Sequence, residues 1–174
     1  MGLKNPRKLF VHELSDIMSA EQIILKMLPE LEKEALHPDV KAAFKEHRAE
    51  TEGQIKRPED VFNLLGEKPE ETTCHAAEGL KQEHEALHEE QPTPEVLQMG
   101  NLGGAAKTEL YEIAIYTLVA QMARDLGERD VAALLKESLD EEKAMAKRIE
   151  ALAKELGKEA KAAAKEAEKA VKAA

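Results

Sequence analysis

Four long stretches of this chain repeat apolar residues at intervals of three and four, the spacing that places side chains on one face of an α-helix. The first stretch has its apolar positions at Phe10, Leu14, Ile17, Ile24, Leu28 and Leu31. Glu21 occupies the missing position of this stripe, so a carboxylate is predicted where the helix faces the core. Because no segment alternates in the manner of a strand, the chain is predicted to be all-α.

Proline and glycine residues divide the chain into helices joined by connections of very different length. Tight turns separate helix A from helix B and helix C from helix D, whereas nearly thirty residues separate B from C. A long B–C crossover favours a ferritin-like four-helix bundle over a simple up-down bundle. The crossover contains a predicted short fifth helix, and Pro58 is predicted to bend helix B. The predicted bounds are about 5–36 for A, 38–66 for B, 94–126 for C and 130–156 for D.

The apolar pattern of helix D ends at Leu156, and the composition changes directly afterwards. Residues 158–174 consist almost entirely of Ala, Lys and Glu, which favour helix but offer no apolar stripe. The predicted organisation is therefore a bundle over residues 1–157 and a helical or frayed tail over 158–174.

Charge and composition exclude several classes of function. The formal net charge of -10 argues against nucleic acid and an anionic membrane surface as partners, since both attract basic patches. No apolar run is long enough to span a bilayer and the N-terminal residues do not resemble a signal peptide, so a cytoplasmic location is expected. The single cysteine, Cys74, is expected to be an ordinary thiol.

Every long helix carries an acidic residue near the middle of its predicted core face. The polar residues on these faces are Glu21 in helix A, His47, Glu50 and Gln54 in helix B, Glu109 and Glu112 in helix C, and Glu142 in helix D. Ionised carboxylates in an apolar interior are costly and repel one another unless cations lie among them. Two metal ions bridged by the glutamates would remove this conflict, because carboxylates are good ligands for hard cations.

Each of these residues also has a simpler explanation. Glu21 could pair with a lysine or lie at the edge of the bundle, and Glu142 belongs to a charged run that is typical of a solvated face. His47 could be an ordinary core histidine, and Gln54 a residue that supports a ligand. Tyr116 could hydrogen-bond a carboxylate or simply pack. In the crossover, His84 and His88 are spaced to bind a metal ion, but adventitious surface binding is the simpler expectation there.

The chain resembles the YciE/YciF family of ferritin-like bacterial stress-response proteins. The resemblance rests on LF-x-HELSDIMSAEQ from Leu9, F-x-x-H-x-x-ET-x-GQI-x-R from Phe44, VFNLLGEKP, AAEGL, ELYEIAIY from Glu109 and LLKESLDEEKA from Leu134. These segments extend over about residues 6–155. The resemblance implies a rubrerythrin-like two-metal centre, usually in a homodimer, without an established reaction.

By matched motif, the resemblance implies Glu21, Glu50, Glu109, Glu112 and Glu142 as metal ligands, with Gln54 as a further candidate. Iron is the expected metal, although an oxygen-rich site also suits manganese, calcium or magnesium. The usual di-iron pattern has a Glu-x-x-His motif on each of two helices. Helix D instead has Met145 at the histidine position, so the chain departs from this pattern.

Two functions remain open from the sequence. The first is a di-metal oxidase or peroxide scavenger, with O₂ or H₂O₂ as substrate. The second is a non-enzymatic structural or interaction protein whose metal site is structural or vestigial. Whether the chain is an enzyme is not decided by its residues.

Overall fold

The structure, a computed structural model, describes the backbone of residues 3–173 and the side chains of residues 3–162. The described part of the chain folds into helices and connecting turns, which confirms the all-α prediction. The helices are α1 (Pro6–Glu34), α2 (Pro38–Gln54), α3 (Lys56–Leu65), α4 (His75–Glu89), α5 (Pro94–Asp125) and α6 (Arg129–Ala173).

Capping residues account for where the long helices begin and end. The Asn5 side chain accepts a hydrogen bond from the backbone N–H of Lys8 at 2.9 Å, directly before Pro6 at the start of α1. Thr93 and Pro94 repeat this arrangement at the start of α5. Gly66 after α3 and Gly127 after α5 adopt positive φ angles of 65° and 81°, which glycine tolerates best.

The predicted helix B is divided into α2 and α3 at Ile55. Pro58 lies three residues after this division and has no backbone N–H to donate to the carbonyl of Gln54. Its ring also clashes with that carbonyl in a continuous helix, so the helical hydrogen bonding is interrupted one turn before the proline itself. The structure therefore shows an interruption of helix B at Ile55, while the bend predicted from Pro58 stays a prediction.

The bundle has four long segments: α1, α2 together with α3, α5, and α6. Helix α4 covers one side of this bundle. Helix α1 packs against α2 and α5, while α6 packs against α5 and against α2 and α3. Helix α4 lies in the long crossover and packs on α1 and α5. A Cβ atom at Gly100 of α5 would collide with the Leu87 side chain of α4, so glycine permits this close approach.

The apolar core consists of two layers at different heights along the bundle. The first layer includes Phe10, Leu14 and Ile17 of α1 together with residues of α3, α5 and α6. The second includes Ile24, Leu28 and Leu31 of α1 together with residues of α2, α5 and α6. All four long segments contribute to the core, and on α1 the layers are separated at Glu21.

Helix α6 continues through Ala173 and so extends beyond the predicted end of the bundle at residue 157. The side chains of residues 163–174 lie outside the described part of the structure. The division into a bundle and a tail therefore stays a prediction. Within the described residues, none of the helices combines the length and the apolar character required to cross a membrane.

Candidate metal centre

A layer of buried polar residues separates the two apolar layers. On α1 it contains Glu21, between Ile17 and Ile24. On α6 it contains Glu142, between Leu139 and Met145. The other buried members are His47, Thr51 and Gln54 of α2 and Glu109 and Glu112 of α5. Glu21, Glu109, Glu112 and Glu142 are each at most 2% exposed, which is rare for glutamate. We refer to this set of seven residues as the polar layer.

Four members of the polar layer come close enough to share an ion. His47, Glu109, Glu112 and Glu142 each present one ligand atom within 4.8 Å of the others. His47 Nε2 lies 3.2 Å from Glu109 Oε1. The i,i+3 spacing of Glu109 and Glu112 brings both carboxylates to the same face of α5, as the sequence pattern requires.

Hydrogen bonds from neighbouring helices hold two of the glutamates. The Tyr116 hydroxyl donates to Glu21 Oε1 at 2.5 Å. The Gln54 side-chain amide donates to Glu142 Oε1 and, at 3.1 Å, to Glu141 Oε2. Gln54 therefore contacts a predicted ligand through its nitrogen, which is the arrangement of a supporting residue.

Glu50 lies at the edge of the polar layer. Its side chain is 35% exposed, and its Oε2 atom is 4.0 Å from His47 Nδ1. Its negative charge contributes to raising the pKa of Glu109 and of Glu142, so it belongs to the same electrostatic cluster. All six residues predicted as metal ligands thus lie in or beside one layer. Their role as ligands stays a prediction.

The carboxylates of the polar layer have oxygen atoms without hydrogen-bond partners. One oxygen of each of Glu21, Glu109, Glu112 and Glu142 is buried and unpaired, as are His47 Nδ1 and Gln54 Oε1. Among the described residues, no lysine or arginine forms an ion pair with these four glutamates. Several unpaired acceptors around one point are costly in a protein core. The arrangement fits cations better than it fits a purely structural role.

Burial also changes the pKa values of this cluster. Desolvation, followed by repulsion from Glu142, raises the pKa of Glu21 to about 8. Desolvation is also the main reason that the pKa of Glu142 is raised to about 7 and that of Glu112 well above its ordinary value. For His47, desolvation lowers the pKa to about 4, so its imidazole is neutral near pH 7 and keeps a lone pair for a metal ion.

An arginine next to the polar layer binds a glutamate that contacts one of its members. Arg57 of α3 donates to both carboxylate oxygens of Glu141, at 2.5 and 2.6 Å, and to the hydroxyl of Ser138 at 2.9 Å. This bidentate pair joins α3 to α6 and places Glu141 where it also accepts from Gln54. Arg57 thereby orients the Gln54–Glu142 contact without entering the layer.

A cavity of about 390 Å³ connects the polar layer with the protein surface. Its lining includes the buried His47 and Glu109 and also Glu83 and Lys107, whose side chains are each 59% exposed. Most of the remaining lining is apolar or glycine: Ile24, Met27, Leu28, Leu31, Phe44, Leu80, Leu87, Gly100, Gly103, Gly104 and Ala105. A mostly apolar cavity with a few polar groups is typical of a site for a small molecule.

A family model described as a domain of unknown function, DUF892, matches residues 5–163. The chain belongs to the DUF892 family. It is 37% identical to Protein YciF of Escherichia coli strain K12 over 154 residues, which are 88% of this chain and 93% of the relative. The comparison confirms the similarity to YciF that the sequence motifs of this DUF892 protein indicated.

Solved structures of related proteins share the fold of this DUF892 chain. The crystal structure of the E. coli stress protein YciF matches with a TM-score of 0.86 and 36% identity, over 90% of this chain and 99% of the other. YcfI from Rhodopseudomonas palustris, proposed to be a structural protein, matches with a TM-score of 0.82 and 34% identity over 85% and 94%. A protein from Xanthomonas campestris is 20% identical with a TM-score of 0.70, over 87% and 93%, and shows the fold alone.

The structure adds residues that sequence analysis had left without a role. His47 shares a buried group with Glu109, Glu112 and Glu142, and its His-x-x-Glu spacing with Glu50 was the available signal. Tyr116 does hydrogen-bond a carboxylate, as one of its two interpretations allowed. Arg57 and Glu141 carried no signal in the helical periodicity, because their contact joins two separate helices.

Proposed function

We propose that the polar layer of this chain holds two metal ions, with iron as its metal, in a stress-response protein that reacts with O₂ or H₂O₂. The observation that carries the proposal is the set of buried, unpaired carboxylate oxygens between two apolar layers. The description of the similar E. coli protein as a stress protein supports the biological setting.

The predicted carboxylate ligands are Glu21, Glu50, Glu109, Glu112 and Glu142, and His47 adds a nitrogen donor to this set. These residues would hold the two ions, and a pair of ferrous ions would supply the electrons for the reduction of O₂ or H₂O₂. Among the protein groups, Tyr116 and Gln54 orient Glu21 and Glu142 by donating hydrogen bonds to them. The apolar layers exclude water above and below the centre, and the cavity beside His47 and Glu109 provides the route of entry.

The proposal is tested by loading the protein with Fe(II) under anaerobic conditions and adding a limiting amount of H₂O₂. We expect rapid formation of Fe(III), with about two ferrous ions oxidised for each peroxide consumed, since peroxide accepts two electrons. The Glu109→Ala, Glu112→Ala double variant should lose the rapid phase because it removes both α5 ligands. The measurement is stopped-flow absorbance together with the iron content after desalting.

A matched control is the Glu155→Ala, Glu159→Ala variant, which removes two exposed carboxylates from α6. This variant should bind and oxidise iron as the wild type does. If the Glu109→Ala, Glu112→Ala variant oxidises Fe(II) as fast as the wild type, the proposed reaction at this centre is wrong.

A second candidate function is structural, with a metal that stabilises the bundle but has no turnover. Two observations favour it: Met145 stands at the histidine position of α6, and the similar R. palustris protein is proposed to be structural. In this case metal loading raises the melting temperature while peroxide consumption stays at the rate of the double variant. Calorimetry and peroxide assays on the same samples distinguish the two functions.

We also propose that the chain forms a homodimer through one face of α5. Large apolar side chains are 48–64% exposed on this helix, and their spacing places them on one stripe: Val96, Met99, Leu110 and Leu118. The stripe faces away from the bundle core. Exposed apolar side chains that share one helix face on a charged protein are typical of an interface.

A further inference from the structure

A second group of metal-ligating side chains lies outside the polar layer, where the crossover helix packs on the first helix. It consists of Glu30 and Glu34 of α1 and His84 and His88 of α4. Each pair has i,i+4 spacing, so each helix presents two ligands from one face, one turn apart. Two imidazoles and two carboxylates therefore meet across the α1–α4 contact.

The four side chains are already close to one another. One ligand atom from each lies within 4.8 Å of the others. Glu34 Oε1 is 3.0 Å from His88 Nε2, and Glu30 Oε2 is 3.8 Å from His84 Nε2. The two imidazole rings approach edge to face, with centroids 4.7 Å apart.

The histidines present buried nitrogens without hydrogen-bond partners. The His84 side chain is only 10% exposed, and its Nε2 atom is buried and unpaired. His88 Nε2 is also buried and lies close to Glu34, but outside hydrogen-bond geometry. A buried imidazole nitrogen directed at a carboxylate without a hydrogen bond is costly, and a bound cation would satisfy it.

A neighbouring helix orients one of the carboxylates. The Asn101 side-chain amide of α5 donates to Glu34 Oε2 at 2.7 Å and leaves Oε1 directed at His88. Metal-binding carboxylates are commonly held in this way by an outer hydrogen bond. The group thus has both a set of donors and a residue that positions one of them.

We propose that Glu30, Glu34, His84 and His88 form a second metal site, specific for a divalent transition metal of the Zn²⁺ class. Imidazole and carboxylate donors in a set of four suit tetrahedral Zn²⁺, with bonds of about 2.0–2.2 Å. Such bonds place the ligand atoms roughly 3.3–3.5 Å apart, so the group contracts by about 1.5 Å at most when the ion enters. The ion would join α4 to α1 beside the cavity, whose lining includes His84.

The site is tested with Co²⁺, which replaces Zn²⁺ and absorbs visible light strongly only in tetrahedral coordination. Titration of the wild-type chain should produce this absorption, and stoichiometric Zn²⁺ should abolish it. The His84→Ala, His88→Ala variant should lose the absorption and one bound ion per chain. The Glu109→Ala, Glu112→Ala variant should keep it, which separates this site from the polar layer and from the fate of the proposed function.

Two milder variants protect the test against a failure of folding. Glu30→Gln changes an exposed ligand and should weaken Co²⁺ binding without disturbing the bundle, while Asn101→Ala should weaken it about 10- to 100-fold. His75→Ala, on an exposed position of the same helix α4, is the matched control and should bind as the wild type does. Equal binding by the wild type and the His84→Ala, His88→Ala variant overturns the proposal, as does wild-type binding only at millimolar Co²⁺.

Discussion

Burial favours the protonated form of the glutamates in the polar layer, so they hold their protons to a higher pH than surface glutamates do. Desolvation raises the pKa of Glu142 to about 7 and that of Glu21 to about 8, whereas an unfolded chain has carboxyl pKa values near 4.3. The metal-free native state therefore binds more protons than the unfolded state at intermediate pH. A metal ion would have to displace these protons, so its affinity for the polar layer should increase as the pH rises.

We predict that the metal-free protein loses stability as the pH rises from about 5 to 8. The native pKa values are raised, so the stabilisation of the folded state is complete below the unfolded pKa of about 4.3. It is lost as the pH rises through the native pKa values. Each such carboxyl contributes about 1.4 kcal/mol for each pH unit between its unfolded pKa and its native pKa, so the contribution of Glu142 ends near pH 7 and that of Glu21 near pH 8. Urea unfolding of chelator-treated protein at several pH values measures the slope.

The Glu142→Gln variant should show a smaller loss of stability over the same pH interval, because it removes one of the buried titrating groups while keeping its size. Glu159→Gln, at an exposed position of α6, should leave the slope unchanged. A metal-free wild type that becomes more stable between pH 5 and 8 would contradict the prediction.

The individual polar positions were accessible from the sequence because each interrupts an apolar stripe. Glu21, Glu109 and Glu142 could be placed on the core face from their own helices, but an edge position for Glu21 and a solvated face for Glu142 stayed open until the structure showed that all three are buried. The contacts between helices were not accessible in this way: periodicity gives the face of a residue but not its height relative to a residue on another helix. The Tyr116–Glu21 and Gln54–Glu142 hydrogen bonds and the Arg57–Glu141 pair depend on such relative heights.

The sequence predicted where the helices lie more reliably than it predicted where a helix is interrupted. Caps and prolines located the starts of α1, α2 and α5 to within a residue or two. The division at Ile55 was less evident, since the effect of Pro58 falls on the carbonyl one turn earlier. The packing of α4 on α1, which forms the His84–Glu30 contact, required the three-dimensional path of the crossover.

Helix α5 also forms part of the cavity wall, where Gly100, Gly103 and Gly104 lie in the lining. A Cβ atom at Gly104 would have no atom within 4 Å, so a larger side chain there extends into open space. We predict that Gly104→Leu slows the oxidation of bound Fe(II) by peroxide several-fold while leaving the amount of bound iron unchanged. Stopped-flow kinetics and iron analysis on the same preparation measure both quantities.

Gly157→Leu is the matched control for this prediction, because it makes the same change at an exposed helical position of α6 that is also open. It should oxidise iron at the wild-type rate. Equal rates for Gly104→Leu and the wild type would show that peroxide reaches the centre by another route.

At the scale of the whole molecule, the apolar stripe of α5 makes a prediction about assembly. The Leu110→Glu, Leu118→Glu variant should be monomeric at concentrations where the wild type is a dimer, because it places four charges in a twofold interface. Sedimentation velocity measures the change. Leu64→Glu, at a 56% exposed leucine of α3 outside the stripe, should remain dimeric. A monomeric wild type, or a double variant that still dimerises, would contradict the proposed interface.

The two apolar layers also have a consequence for how the proposed ions would bind. Apolar side chains of α1, α5 and α6 contribute to both layers, with α3 adding residues to the first layer and α2 to the second. Small zinc-binding domains, by contrast, fold only as the ion binds. If the polar layer holds ions as proposed, the apolar packing on both sides of it fixes the donors, and we expect most of the ordering entropy to be lost on folding rather than on metal binding. We therefore expect the proposed ions to exchange without unfolding of the bundle.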